Sequence, residues 1–270
     1  MTSTFTTNQT EMTDQYTLSE ILGIWAVVAI PMAVLGWIVA PALAPESIGL
    51  GAGVTRISVL TVGLIWQFVL AMIILYREEG DIRWTTIRRR FRLNTPQNSK
   101  TGEPQDRLWL WLIPLIILGF VIAFAIKPAI DGLWVSTFPF LAEPSSYSLA
   151  GFLDTPEAKA QLVGAWGLLA LFIVQAVFNT FLGEEFIFRG VLLPKMNGVF
   201  GKWDWVANGV LFGVYHLHQP WGIPGNILDG LFLYAFPARR FRSTWMAIII
   251  HSAESVFFLF LILGLVLGLA

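Results

Sequence analysis

The chain has 270 residues, of which 56% are apolar and 13% charged, with a formal net charge of −1. Soluble domains carry about 25% charged residues, so the deficit points to lipid as the main solvent, and the near-neutral balance gives no basis for nucleic-acid binding or a strongly basic partner surface. Cysteine is absent, which removes disulfides, thiolate metal sites and cysteine nucleophiles and leaves the redox compartment open.

Residues 1–20 are polar and Thr-rich and hold no Lys or Arg. Without a basic leading region they do not read as a secretory signal, and a short polar tail is expected. Asn8-Gln9-Thr10 fits a glycosylation sequon, a triplet too common by chance to carry weight. Uncharged stretches of roughly 20 residues can span a bilayer. Such stretches cover 21–45, then 57–76 between Arg56 and Arg77, 108–126 between Arg107 and Lys127, and 160–183 up to Glu184. Beyond Glu184 the chain stays apolar but is studded with polar residues. The remaining long candidates are 205–228 and 245–270, with a shorter piece around 230–236. The fold class expected is an all-α, multi-pass transmembrane helical bundle of about seven or eight membrane segments, some short or broken. The apolar run 132–142 is too short to span and is expected to lie in the interface or re-enter. By this reading the chain divides into the tail 1–20, N-terminal membrane helices 21–160 with a basic loop 77–107, and a C-terminal core 161–270.

Lys and Arg in short loops set orientation. The loop 77–107 contains Arg83, Arg88, Arg89, Arg90, Arg92 and Lys100 and is expected in the cytosol. Alternation then puts 127–159 outside, and both the Lys195/Lys202 pair and the cluster Arg239, Arg240, Arg242 inside. The amino terminus of this integral membrane protein is expected to be cytosolic.

An ionisable group in hydrocarbon costs about 2.5–3.5 kcal/mol on insertion scales, so several in the last third of the chain require a purpose. In Glu184-Glu185-Phe186-Ile187-Phe188-Arg189 the second acid and Arg189 are four apart, with the acid first, and can pair on one helix face. Glu184 is rotated about 100° away and has no local partner. A buried carboxylate without a partner tends to hold its proton more tightly, which suits a general base near neutral pH. Phe212 and His216 share a helix face; His218, beside Pro220, is expected nearer the outer water. His251 shares a face with Ser255, and Glu254 is also within reach of it. Each cluster taken alone has a structural alternative, as a salt bridge between helices or as a histidine bonded to a carbonyl.

Depth joins them. Counted from the basic flanks at about 1.5 Å per residue, Glu184 lies roughly 16 Å deep, His216 roughly 21 Å and His251 roughly 14 Å. Three segments thus place an ionisable group in one slab of a core roughly 30 Å thick, and one convergent site is expected. There a carboxylate with a histidine would take a proton from water, while a second histidine, with a hydroxyl or amide, would donate to the developing oxyanion. Alternatively, Glu184, His216 and His251 would ligate zinc with a water in the open position. No H-E-x-x-H occurs, and spacing does not decide between the two.

Together these residues resemble the CAAX protease and bacteriocin-processing (CPBP, or Abi) family of intramembrane proteases, whose motifs are E-E-x-x-x-R, F-x-x-x-H and H-x-x-x-N. They match Glu184 to Arg189, Phe212 to His216 and His251 to Ser255, in order, over about residues 178–258. The resemblance implies a bundle of about eight helices with an intramembrane site, Glu184 activating water with His216, Glu185 and Arg189 as a supporting pair, and His251 helping to form the oxyanion site. The expected substrate is a peptide or membrane-protein tail within the lipid bilayer. One departure stands out. The family's Asn falls on Ser255, whose hydroxyl reaches less far than an amide and donates once, and Glu254 adds a charge beside it. A non-catalytic immunity or regulatory protein using the same cavity is therefore the alternative, and a proton-coupled carrier is a third. Against the carrier, no paired halves with interrupted helices are visible.

Overall fold

The computed structural model describes residues 15–44, 50–144, 147 and 156–269. Among these the architecture is entirely helical, apart from one isolated bridge between Gln97 and Pro104. The sequon at Asn8 lies outside the described residues. Five helices are long and apolar enough to cross a membrane: α1 Leu18–Leu43, α2 Gly51–Glu79, α4 Asp106–Thr137, α6 Trp166–Lys195 and α9 Thr244–Val266. Shorter helices are α3 Trp84–Arg90, α5 Pro156–Leu162, α7 Asp204–Tyr215 and α8, which runs over 223–240. The fold is an all-α membrane bundle with fewer spans than the seven or eight expected.

The shortfall has local causes. The apolar stretch 205–228 is not one span. It breaks after Tyr215, where His216 leaves the helix at φ −74, ψ 39 and Pro220 follows four residues on. The halves fold back as α7 and α8. The twelve residues of α7 reach only about 18 Å, and α8 carries Asp229, Arg239 and Arg240. The two helices pack on each other and against neighbouring helices of the bundle, with Val210, Phe232 and Phe236 left exposed. The run 132–142 does not re-enter: its first part prolongs α4 to Thr137, and a short 3₁₀ turn, Pro139–Leu141, follows. Helix α1 begins before residue 21 because Thr17 and Glu20 form a capping box: the Glu20 backbone donates to Thr17 Oγ1 (3.3 Å) and the Thr17 backbone to Glu20 Oε2 (2.7 Å). This satisfies two of the N–H groups a helix start leaves open.

Helices α7 and α8 approach at glycines. A methyl group on Gly209 would lie 2.7 Å from the Leu231 nitrogen, and one on Gly230 would lie 2.6 Å from the Gly209 carbonyl oxygen. The core forms around the second half of α6, whose Phe186, Ile187, Phe188, Val191 and Leu192 are buried with Phe212 and Tyr215 of α7, Leu233 and Tyr234 of α8 and Ile250 of α9. Outward-facing Ile30, Ile38, Ile113, Phe124 and Phe260 are exposed and form the lipid-facing coat of the bundle.

The three basic clusters meet at one end of the bundle. Glu78 takes ion pairs from Arg90 (2.8 Å) and Lys195 (3.2 Å) and a hydrogen bond from Tyr16. Burial and the neighbouring Glu78 carboxylate push the Tyr16 phenol up, so it stays protonated and donates. At the same end Arg239 pairs with Asp204, Arg240 donates to Ser99 (2.8 Å) and Asn94 donates to the Arg242 carbonyl (3.1 Å).

Candidate active site

Helix α6 is not a regular α-helix where it carries the acids. Wide, π-helical turns occupy Phe178–Gly183 and Phe186–Leu192 on either side of Glu184-Glu185. Such turns open the i to i−4 ladder and are frequent at functional sites. Carbonyls of the second one are met by side chains from elsewhere: Asn208 Nδ2 donates to Phe188 O (2.8 Å), and Arg90 donates to Gly190 O (2.9 Å) and Val191 O (3.4 Å). Gly183 closes the first, because a methyl there would lie 2.4 Å from the Phe178 oxygen and 2.8 Å from the Leu64 oxygen of α2.

A cavity of about 250 Å³ opens beside this helix. Its lining includes Glu184 of α6, His216 at the end of α7, and His251, Glu254 and Ser255 of α9. Glu184 is buried, and its Oε1 accepts a hydrogen bond from Tyr215 Oη (3.0 Å); Gln67 of α2 donates in turn to Tyr215 Oη (2.8 Å). His216 Nδ1 lies 2.9 Å from the Phe212 carbonyl oxygen. A carbonyl only accepts, so Nδ1 carries the proton, and the neutral ring has its lone pair at Nε2. Phe212 spaces the two histidines, its ring centroid 5.0 Å from that of His216 and 6.4 Å from that of His251.

Glu185 and Arg189 do not line the cavity; they stand behind it. Glu185 Oε1 accepts from His251 Nδ1 (3.0 Å), and Glu185 Oε2 is 3.5 Å from Arg189 Nε, the pairing that the four-residue spacing predicts. Arg189 is enclosed by rings, with its guanidinium carbon 4.3 Å from the Phe212 centroid and 5.0 Å from that of Tyr234. Tyr234 also stacks on His251 at 4.4 Å. Neither Glu254 nor Ser255 fixes the His251 ring. The group at its Nε2 is Asn179 of the first wide turn, whose Nδ2 lies at 3.3 Å. Ser252 donates to Thr180 Oγ1 (2.9 Å), since the Thr180 proton is given to the Ala176 carbonyl. His218 is buried and carries its backbone carbonyl toward Arg56, rather than facing outer water as expected.

The sequence reading passed over Asn179, Tyr215 and Gln67, which are uncharged, and misplaced Lys127. Read as a charge at the outer edge of a span, Lys127 sits inside α4 and on the cavity wall, donating to Asp229 (2.6 Å) and Asn226 (3.1 Å). Polar residues within an apolar run were the available signal.

The residues do not fit zinc. Three ligand atoms would have to converge on one point at about 2.0–2.2 Å, and no group of three or more His, Asp or Glu among the described residues does so. Both nitrogens of His251 and one oxygen of Glu184 are engaged by protein partners.

No curated protein and no solved structure matches the chain. Residues 165–257 match the family model described as type II CAAX prenyl endopeptidase Rce1-like, a segment of about a third of the chain that contains every acid and histidine of the cavity. The family resemblance read from these motifs is consistent with that match: over residues 165–257 the chain is similar to the Rce1-like CAAX prenyl endopeptidases.

Proposed function

We propose that the protein is an intramembrane endopeptidase of the CAAX-protease-like type, which hydrolyses a peptide bond with a water activated by Glu184. The observation that carries this reading is that Glu184 and His216 line the same cavity, each held by a hydrogen bond to α7, from Tyr215 Oη and to the Phe212 carbonyl respectively. Water held between the Glu184 carboxylate and the His216 Nε2 lone pair gives a proton to Glu184 as its oxygen attacks the peptide carbonyl. The C–O bond forms and the carbonyl becomes an oxyanion. On collapse the C–N bond breaks, and Glu184 returns the proton to the leaving amine. Burial strengthens these interactions by excluding bulk water. The Rce1-like match supports a peptide substrate presented from the membrane.

The test uses purified protein in lipid nanodiscs with a quenched-fluorescent farnesylated CAAX peptide and its unprenylated counterpart, with products identified by mass. Glu184→Gln should lower turnover by about 10²–10⁴-fold, the usual range for a general base. Cleavage by Glu184→Gln at the parent rate would refute the assignment. The departure at Ser255 favours the second reading, a non-catalytic membrane protein that binds partners in the same cavity. It predicts no Glu184-dependent cleavage and unchanged partner binding in Glu184→Gln.

A further inference from the structure

The cavity needs a donor for the oxyanion, and the obvious candidates are poor ones. Ser255 offers one short hydroxyl. His251 has Nδ1 facing the Glu185 carboxylate, so the proton sits on that side, and its Nε2 faces the amide nitrogen of Asn179, which only donates. In this arrangement His251 presents a lone pair to the cavity side and no N–H. The amide of Asn179 has two N–H groups. One is used on His251, and the other remains for a ligand.

The wide turn explains why Asn179 can serve. Asn179 and Glu184 are five residues apart. On a regular α-helix they would point roughly 140° away from each other. Across Phe178–Gly183 the backbone takes the wider i to i+5 turn, which brings residues five apart closer to one face than a regular α-helix does. Both side chains then line the same cavity.

Building on the peptidase reading, we propose that Asn179 is the amide donor that stabilises the tetrahedral oxyanion, in place of an amide at position 255. Water adds to the carbonyl through Glu184, and the negative oxygen accepts the second Nδ2–H of Asn179. His251, steered by Glu185 and Arg189, is the positioning residue that aims this amide.

The experiment compares the parent with Asn179→Ala and Asn179→Leu in nanodiscs, the second variant keeping the side-chain volume without a donor. The probes are the farnesylated CAAX peptide and its trifluoromethyl-ketone analogue, whose hydrate has tetrahedral geometry. Loss of one oxyanion donor costs about 10²–10³-fold in kcat. That loss is expected in both variants, with KM within threefold and analogue affinity reduced by the same factor as kcat/KM. A residue that merely supports the helix would move KM and thermal melting instead. If the parent cleaves in a Glu184-dependent manner while both variants keep kcat and analogue affinity within threefold, the amide assignment falls and the peptidase reading stands. If the parent shows no Glu184-dependent cleavage, both fall.

Discussion

Arg189 is the largest of the completely enclosed side chains among the described residues, and its neighbours account for its burial. One carboxylate and the rings of Phe188, Phe212 and Tyr234 surround it, which limits the desolvation cost of the charge. The Glu185–Arg189 part was legible because a four-residue spacing is a property of one helix. Tyr215 was not, since its hydroxyl meets Glu184 only through the packing of α7 on α6, and Gln67 is 148 residues from it in the chain. Tyr215→Phe keeps the ring and deletes the donor. A net hydrogen bond of about 1–1.5 kcal/mol corresponds to roughly a tenfold fall in turnover, with KM little changed, measurable with the farnesylated peptide in nanodiscs. An unchanged rate would show that Tyr215 does nothing for Glu184.

At the level of elements, hydropathy located α1 and α9 within a few residues at both ends and the core of α2, because uncharged length is a direct record of bilayer thickness; it ended α4 at Lys127, where the helix in fact runs on to Thr137. It failed at α6 and α7–α8. Helix α6 does not stop at Glu184 but continues to Lys195, its acids accommodated by wide turns that no periodicity argument anticipates. The break after Tyr215 depends on contacts from other helices: Trp37 Nε1 of α1 donates to the Leu217 carbonyl (2.8 Å) and Trp25 Nε1 to that of Leu211 (2.8 Å). The crossing of α7 and α8 rests on absent side chains. Gly209→Ala would force a methyl against the Leu231 backbone, and overpacking of this kind costs about 1–3 kcal/mol. A lower melting temperature in detergent is expected, together with loss of cleavage as His216 shifts. A melt equal to the parent's would mean that α8 moves aside freely.

For the molecule as a whole, charge proved the most informative part of the sequence. Arg90, Lys195 and the 239–242 cluster, far apart in the chain, gather at one end with Tyr16, Glu78 and Asp204, as a single rule about basic loops requires. The absence of cysteine makes the sidedness testable. Lys100→Cys, at the basic end, should resist a membrane-impermeant maleimide in intact cells, whereas Thr137→Cys, at the far end of α4, should react. The reverse pattern would invert the orientation. The bond from Gln67 to Tyr215 has a consequence at this scale. Gln67 lies in α2, outside residues 165–257, yet it stands one step behind the hydroxyl that holds Glu184. The region that matches the family model therefore does not by itself supply every group that holds the candidate base. On the proposed mechanism, a substitution in α2, which lies outside the matched segment, would alter the setting of Glu184 while leaving every diagnostic motif intact.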